Sequence, residues 1–594
     1  MKERLLYFIK YYLFWVLFFV AQKPLFMLWQ HRLLGDVNWT DWFLVPWHGL
    51  PLDLSVAAYL TAVAGVLLCV SFWVSTRVIG KIIDVVTAVF LAVALCAVIG
   101  DNGSFPSWGY HIDKDVFAYL ATPKEVLACA PWWLWCLGVV LFAALFAGWW
   151  WLYKKISLFE DVKRVKLRII GTVVMLVLTA LLFLPMRGSV TVSTMNTGRA
   201  YYSDNRMLNL AAVNPVFNIV ESLSENTFDS SRYHYMPSDE AAALVHNIRP
   251  DSGQASELFL STDRPHVVLF ILESFCKTAW EAMPNLQRLA KEGVYFDNVY
   301  ANSYRTDRGV VAVLSAFPGG ASGSVMLVPA KSQQLPQIGQ VLKAEGYDLK
   351  FYYGGDEDFT NMRSFLVTGG FEQRVADRDF PLSDRMSKWG VPDHILFDYA
   401  AGDIVKRVPA NKTFSVILSL SSHEPFEVDY HHFEHPYLNA IAYTDSCLGA
   451  FVDTLKTSSE WDNTVVIVLA DHGYPYPDGI QNFEPLRYKI PLVFTGGAIQ
   501  QAKTVTALGS QIDWVPTLLH QMRLDAEQFT FAKDLMDTTR TPYAYYHFVD
   551  GFTYITPSDT TIIDAVTDKP IKPNADSQTS KTAHAITQRI YESL

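Results

Sequence analysis

Apolar and polar positions fall into three regimes along this chain. Up to about residue 187, five long apolar stretches alternate with short polar loops: Tyr7–Met27, Leu54–Val74, Ile79–Ile99, Trp132–Tyr153 and Leu167–Met186. Each is about the twenty residues of helix that cross a bilayer, a length that sets aside buried helices of a soluble protein. From Arg187 to about Arg264 the chain is polar and rich in serine and asparagine, with a short amphipathic helix expected around Val216–Leu223. At His266 the pattern changes again. Short continuous apolar runs, starting with HVVLFIL at His266–Leu272, recur at Leu349–Tyr353, Thr413–Leu420, Thr464–Ala470 and Ile490–Phe494, as strands buried on both faces do. Helical patterns separate them at Met283–Lys291, Gln337–Glu345, Leu438–Thr457 and Asp513–Gln521. Strands alternating with helices predict an α/β fold with a mostly parallel sheet. After about Phe529, Ala544–Thr556 and Thr560–Ala565 predict a small antiparallel sheet. The expected units are therefore a five-helix transmembrane domain at 1–187, a juxtamembrane linker at 188–263, an α/β domain at 264–528 and a C-terminal subdomain at 529–594.

Composition agrees with a membrane part joined to a soluble part: of 594 residues 51% are hydrophobic and only 18% charged. The net charge of -11 argues against a nucleic-acid partner, and means that an anionic substrate needs a local cation, whether a metal or an arginine. Cys69, Cys96, Cys129 and Cys136 lie in or beside the apolar stretches. Cys276 and Cys447 stand alone downstream, so no disulfide framework is expected.

Short-loop lysines and arginines predict the orientation. Lys2, Arg4 and Lys10, then Arg77 and Lys81, then Lys154, Lys155, Lys163, Arg164, Lys166 and Arg168 mark one side, against Arg32, Lys114 and Lys124 on the other. The positive-inside rule makes the richer side cytoplasmic, and five crossings place everything after Met186 outside. The first stretch follows Lys2 and Arg4 as a signal peptide would. No small-residue cleavage pattern follows it, so it reads as a retained span. Trp132, Trp133, Trp135, Trp149, Trp150 and Trp151 bracket the fourth span like interfacial anchors. Lys23, near the outer end of the first span, is expected to snorkel, with a lipid phosphate as its alternative partner.

In open α/β sheets ligands bind beyond the carboxyl ends of the strands. Glu273 follows HVVLFIL directly, and Asp471 and His472 follow VVIVLA. Either group alone is an ordinary strand-to-loop turn. Together, two carboxylates and an imidazole at strand ends suit a divalent metal. The loop Asn302–Gly309 (NSYRTDRG) offers Ser303, Thr306 and Asp307 as groups that a metal could activate. Tyr353–Arg363 (YGGDEDFTNMR) follows another strand and brings Asp356, Asn361 and Arg363, the last a side chain suited to phosphate. His423, in SSHEPF after a further strand, could donate a proton or hydrogen bond to a leaving oxygen.

These clusters, in this order behind five spans, resemble the lipoteichoic acid synthase and phosphoglycerol transferase family, sulfatase-like members of the alkaline-phosphatase superfamily. LESF at Leu272–Phe275, the Thr306 loop, YGGD…NMR and ADHG at Ala470–Gly473 carry the resemblance. MPNLQRLAKEGVYFDNVY, AYTDSCLGAF and QIDWVPTLL add to it. The resemblance implies that Glu273, Thr306, Asp471 and His472 bind one divalent metal, manganese first, with magnesium or zinc as alternatives. It implies that Thr306 is the nucleophile, taking glycerol phosphate from phosphatidylglycerol and passing it to a glycan or lipid acceptor. Asp356, Asn361, Arg363 and His423 match the positions that hold phosphate and headgroup, although Gram-positive synthases carry tryptophan near Asn361. The implied setting is a bacterial cytoplasmic membrane with the catalytic domain facing the periplasm. Three other readings stand beside this one. A phosphoethanolamine transferase is typically richer in cysteine. A sulfatase-like hydrolase needs a formylglycine motif, which Arg305–Gly309 lacks, or a second ligand set. A non-catalytic binding module would be marked by loss of the threonine or of a metal ligand.

Overall fold

The computed structural model describes residues 2–35, 37–108, 111–114, 116–117, 132–156, 163–190, 193–203, 205–223, 230–248, 257–320, 323–408, 411–549, 551–571 and 577–594. Lys124 and Cys129 lie outside them. The chain forms two compact units, Met1–Glu225 and Asn226–Leu594.

In the first unit, five helices are long and apolar enough to cross a membrane: Lys2–Trp29, Asp41–Val70, Thr76–Pro106, Trp132–Lys154 and Val165–Arg187. The first and second form an aromatic and aliphatic core in which Tyr11, Trp15, Phe18 and Leu52 are buried. Trp149 of the fourth helix packs inward on Phe14 and Phe18, with ring centroids 5.9 and 5.2 Å apart, rather than standing out as an interfacial anchor. The polar stretch after residue 187 is shared between the units, and its first half folds against the helices of the first. The helix Pro215–Ser222 forms where an amphipathic one is expected, started by Asn214, whose side chain accepts from the backbone of Val216 and Phe217.

Lys23 does not snorkel. It is 3% exposed, and its ammonium lies 2.6 Å from both carboxylate oxygens of Asp53 on the second helix. Asn214 donates to the same carboxylate at 2.9 Å. The buried counter-charge removes the reason to reach for water or for a lipid phosphate. A side chain at Gly49 would overlap the Lys23 stem at 1.9 Å, so glycine there leaves the room that the pair occupies.

The second unit is built on a nine-stranded mixed sheet in the order β4-β3-β5-β1-β6-β7-β2-β8, with β9 on β2. Its strands are β1 (His266–Leu272), β2 (Val294–Tyr300), β3 (Asp348–Tyr353), β4 (Gln373–Val375), β5 (Thr413–Leu418), β6 (Thr464–Ala470), β7 (Lys489–Thr495), β8 (Lys503–Val505) and β9 (Gly509–Ser510). Every residue of β1, β5 and β6 is buried, which is why their sequences carry no alternation. β7 runs against its neighbours β6 and β2, while the other pairings are parallel. Phe270 of β1 packs on Phe397 and Phe451, from the helices Asp393–Arg407 and Pro436–Leu455. Cys276 and Cys447 are free thiols, the first buried.

A second sheet, β10 (Ala544–Phe548), β11 (Gly551–Ile555), β12 (Thr560–Asp564) and β13 (Lys569–Pro570), is antiparallel throughout. It is tied to the first near the loop Asn302–Gly309: Asn302 donates to the Tyr545 carbonyl at 2.8 Å and accepts at its own carbonyl from the His547 amide at 3.1 Å. The C-terminal helix Ser577–Glu592 packs on the arm that begins the unit. The rings of Tyr591 and Tyr233 stack at 4.0 Å, and the Gln588 side chain accepts from the amides of Tyr235 and Met236.

Candidate functional site

The parallel register of β1 and β6 places the first cluster. Leu272 pairs with Ala470, so the next residues, Glu273 and Asp471, leave the sheet side by side. The Asp471 amide continues the ladder to the Leu272 carbonyl at 3.1 Å. Ser274 then turns the chain sharply in a left-handed conformation, φ 60°. In that turn its hydroxyl donates to Glu273 Oε1 at 2.8 Å and its amide to Asp471 Oδ1 at 2.9 Å. His472 Nε2 stands 3.4 Å from Glu273 Oε1 and 3.4 Å from Asp471 Oδ2. One ligand atom from each of Glu273, Asp471 and His472 lies within 4.8 Å of the others.

Thr306 is the first residue of the helix Thr306–Ser315, and its hydroxyl donates to Glu273 Oε2 at 2.9 Å. One turn later the helix touches β6. A Cβ at Gly309 would lie 2.3 Å from the Asp471 carbonyl oxygen, so only glycine allows this approach, which sets Thr306 beside the carboxylates.

The electrostatics are those of two carboxylates and one imidazole buried within reach of one another. Burial raises Glu273, but the hydrogen bond and charge of His472 outweigh it and hold the carboxyl well below the usual range. Burial and the neighbouring Glu273 charge push Asp471 well up. Burial lowers His472, yet the two carboxylates win and raise it to about 9. Asp471 Oδ2 is fully buried and accepts no hydrogen bond among the described residues, its nearest cationic group being His472 Nε2 at 3.4 Å. A buried carboxylate oxygen without a hydrogen bond, beside a second carboxylate and an imidazole, is the donor set of a divalent metal site.

The remaining expected residues form a second group. Asp356 accepts from the Asp358 amide at 3.0 Å. Arg363 pairs with Asp358 at 2.5 Å and with Glu357 at 3.4 Å, while Arg374 and Arg378 also bind Glu357. Asn361 is buried, with φ 62°, and donates to the Leu327 carbonyl at 3.1 Å, so its amide ties this turn to the segment Val325–Leu327. Tyr353 links this group to the first. Its hydroxyl is raised by burial and then by the charges of Glu273, Asp356 and Asp471. His423 is half-buried, close enough for its charge to act on Glu273, and its Nδ1 donates to the Glu424 carbonyl at 2.8 Å.

Two residues of the site carry no pattern in the sequence. Trp389 lays its indole against His423, with centroids 4.1 Å apart, from a loop pinned to the glycine turn before Asp356 by a 2.8 Å bond between the Val391 amide and the Gly354 carbonyl. Asp393 is fully buried and accepts from Leu420, Ser421 and Thr444 at 2.7–3.2 Å, which anchors the loop that carries His423. A tryptophan followed by glycine and an aspartate before a helix were the available signals, and neither is specific.

The sulfatase family model matches residues 265–524. Among curated proteins, the lipoteichoic acid synthase-like YvgJ of Bacillus subtilis (strain 168) is 22% identical over 367 residues, 55% of this chain and 59% of its own. A phosphoglycerol transferase I of Xanthomonas campestris pv. campestris is 27% identical over 289 residues, 44% of this chain and 40% of its own. The chain thus spans between 40 and 59% of the length of these relatives. Two solved structures share the fold. A protein in the alkaline phosphatase superfamily from Vibrio parahaemolyticus has TM-score 0.54 at 24% identity, covering 61% of this chain and 98% of its own. The lipoteichoic acid synthase LtaP from Listeria monocytogenes has TM-score 0.51 at 18% identity, covering 59% and 97%. The resemblance carried by the motifs is borne out, as is the sulfatase-like α/β fold behind five apolar helices.

Proposed function

We propose that this chain is a membrane-anchored, metal-dependent transferase that moves glycerol phosphate from phosphatidylglycerol, through phospho-Thr306, to an extracytoplasmic acceptor alcohol of a glycan or lipid. The observation that carries the reading is the Thr306 hydroxyl at 2.9 Å from Glu273, in the same cluster as an Asp471 oxygen that accepts no hydrogen bond among the described residues. Relatives named as phosphoglycerol transferase and lipoteichoic acid synthase support it. The basic loops support a bacterial cytoplasmic membrane with the transferase domain outside.

Glu273, Asp471, His472 and the Thr306 oxygen would hold one divalent cation, manganese first and magnesium or zinc as alternatives. When bound, it would offset phosphate charge and lower the pKa of the threonine hydroxyl. The chain's own groups do the rest. Thr306 sits at the N-terminus of a ten-residue helix, whose dipole favours an incoming phosphate. Its oxygen attacks phosphorus, and the proton it donates to Glu273 is released to solvent. The bond from phosphorus to the diacylglycerol oxygen breaks; that oxygen keeps the bonding pair and takes a proton from His423 Nε2. An acceptor hydroxyl then gives its proton to His423, bonds to phosphorus and displaces Thr306, which recovers a proton from solvent. Arg363 and Asp356 would hold the phosphate and headgroup, with Asn361 shaping the turn between them.

The test is turnover of fluorescent phosphatidylglycerol and, in parallel, phosphatidylethanolamine by the purified chain with manganese, with diacylglycerol as readout. Release from phosphatidylglycerol alone supports the reading. Release from phosphatidylethanolamine alone reassigns the donor, and release from neither overturns transfer from glycerophospholipids.

A further inference from the structure

The membrane unit buries two ion pairs around one small cavity, and the transfer chemistry uses neither. Lys23 is matched by Asp53. His111 is matched by Asp101: Nδ1 donates to Asp101 Oδ2 at 2.8 Å and Nε2 donates to the Leu210 carbonyl at 2.7 Å. Both cations therefore already have anions. What remains is a pair of unused acceptors. Gln22 Oε1 and Asn102 Oδ1 are buried without a partner among the described residues. Their amide nitrogens donate to the Phe18 and Val98 carbonyls, one turn back on each helix, at 3.1 and 2.8 Å. Those bonds fix which way each amide faces, so the free atoms are oxygens and not nitrogens.

Gln22 and Asn102 line the same cavity as Lys23, His111 and Asn214, about 10 Å³ of space, enough for one water-sized group. Lys23 and Asn102 stand near the ends of the first and third apolar helices, roughly 9 and 6 Å in at 1.5 Å per residue. That is the level at which headgroups meet hydrocarbon. Ionisable and amide groups at such a depth are costly to keep and mark binding or transport sites more often than scaffolding.

We propose that this cavity is a binding site for a free hydroxyl of a membrane glycerolipid, which donates its one hydrogen to Gln22 Oε1 or Asn102 Oδ1. A phosphate is excluded because no unmatched cation among the described residues lines the cavity, and an apolar group is excluded because it would leave both oxygens unpaired. The hydroxyl has two sources, the glycerol head of phosphatidylglycerol and the free hydroxyl of diacylglycerol.

The experiment uses the full chain carrying Thr306→Ala, which stops turnover, purified in detergent with chelator and offered equal amounts of dioleoylphosphatidylglycerol, dioleoylglycerol and dioleoylphosphatidylcholine. Native mass spectrometry reads the bound lipid. The expected result is a one-to-one adduct with a hydroxyl lipid, preferred about tenfold over phosphatidylcholine, whose head has no hydrogen to donate. The preference should vanish in Gln22→Leu/Asn102→Leu and persist in Asn102→Asp, which keeps the acceptor. An adduct with phosphatidylglycerol assigns the headgroup hydroxyl, and one with dioleoylglycerol assigns the product-like hydroxyl. Equal retention of all three lipids by the Thr306→Ala chain, or a preference untouched in the double leucine variant, overturns the site and leaves a cavity for water. The lipid competition needs no cavity variant to fold, and neither result depends on whether Thr306 is the nucleophile.

Discussion

Trp389 and His423 donate to one acceptor: the Trp389 Nε1 hydrogen and the His423 Nδ1 hydrogen both meet the Glu424 carbonyl, at 2.7 and 2.8 Å. With Nδ1 engaged, Nε2 is the ring nitrogen left for a substrate oxygen, and the indole, tilted 47° against the imidazole, limits its rotation. Trp389→Ala should lower kcat/KM for the donor by about tenfold to a hundredfold through misplacement of His423. Trp389→Phe should recover part of the loss, since an aromatic contact survives without the shared hydrogen bond. A loss in Trp389→Ala that is entirely in protein stability, with unchanged kcat and KM for the folded fraction, would leave the indole a packing role only.

Thr306→Ala should reduce diacylglycerol release at least about a thousandfold, while leaving circular dichroism and thermal unfolding near wild type. Thr306→Ser keeps the hydroxyl and should keep measurable turnover. Full activity in the alanine variant would remove the covalent step.

Arg363→Ala should raise the KM for the anionic donor by about tenfold to a hundredfold. Glu357 keeps Arg374 and Arg378 as partners, so the turn should hold. Manganese affinity, measured by calorimetry, is the control: an equal fall in donor use and metal affinity would make Arg363 structural.

Manganese at a hundredfold excess over its dissociation constant should stabilise the second unit by about 2.7 kcal/mol, reversed by chelator. The effect depends on pH. Without the cation, protonated His472 stabilises the fold fully below its unfolded value of about 6.5. That contribution is lost as pH rises through about 9. The cation must displace this proton, so manganese affinity should increase from pH 6.5 to 8.5. Calorimetric titrations at the two values check it, and equal affinities would take His472 out of the ligand set.

Lys23→Met should destabilise the membrane unit by about 3–5 kcal/mol, because it leaves Asp53 buried without its counter-charge. The double variant Lys23→Met/Asp53→Leu should recover most of that. Thermal unfolding of the full chain in detergent distinguishes the two, and equal destabilisation would mean that the pair is not coupled.

Much of this was legible in the chain. β1 and β6 lie over the runs that continuous burial demands, and Glu273, Asp471 and His472 come together because those two runs end side by side in the sheet. The reversal of β7 was not, because burial sets which residues are apolar and says nothing of strand direction. The helix Ser577–Glu592 escaped because its buried face mixes Ala583, Ala585, Ile586 and Ile590 with polar Thr587 and Gln588, which weakens the apolar periodicity. Lys23 was misread because its partner lies thirty residues away on another helix, a distance that no local window spans. Trp389 was missed for the same reason, since it reaches His423 only once two loops are pinned together.

The contact between Gly309 and the Asp471 carbonyl has a kinetic consequence. Backbone meets backbone there, so Thr306 is held at one position relative to Asp471. If Thr306 carries the phosphoryl group as proposed, that group stays in place while donor and acceptor exchange. Such a transferase would give parallel lines in double-reciprocal plots when both substrates are varied.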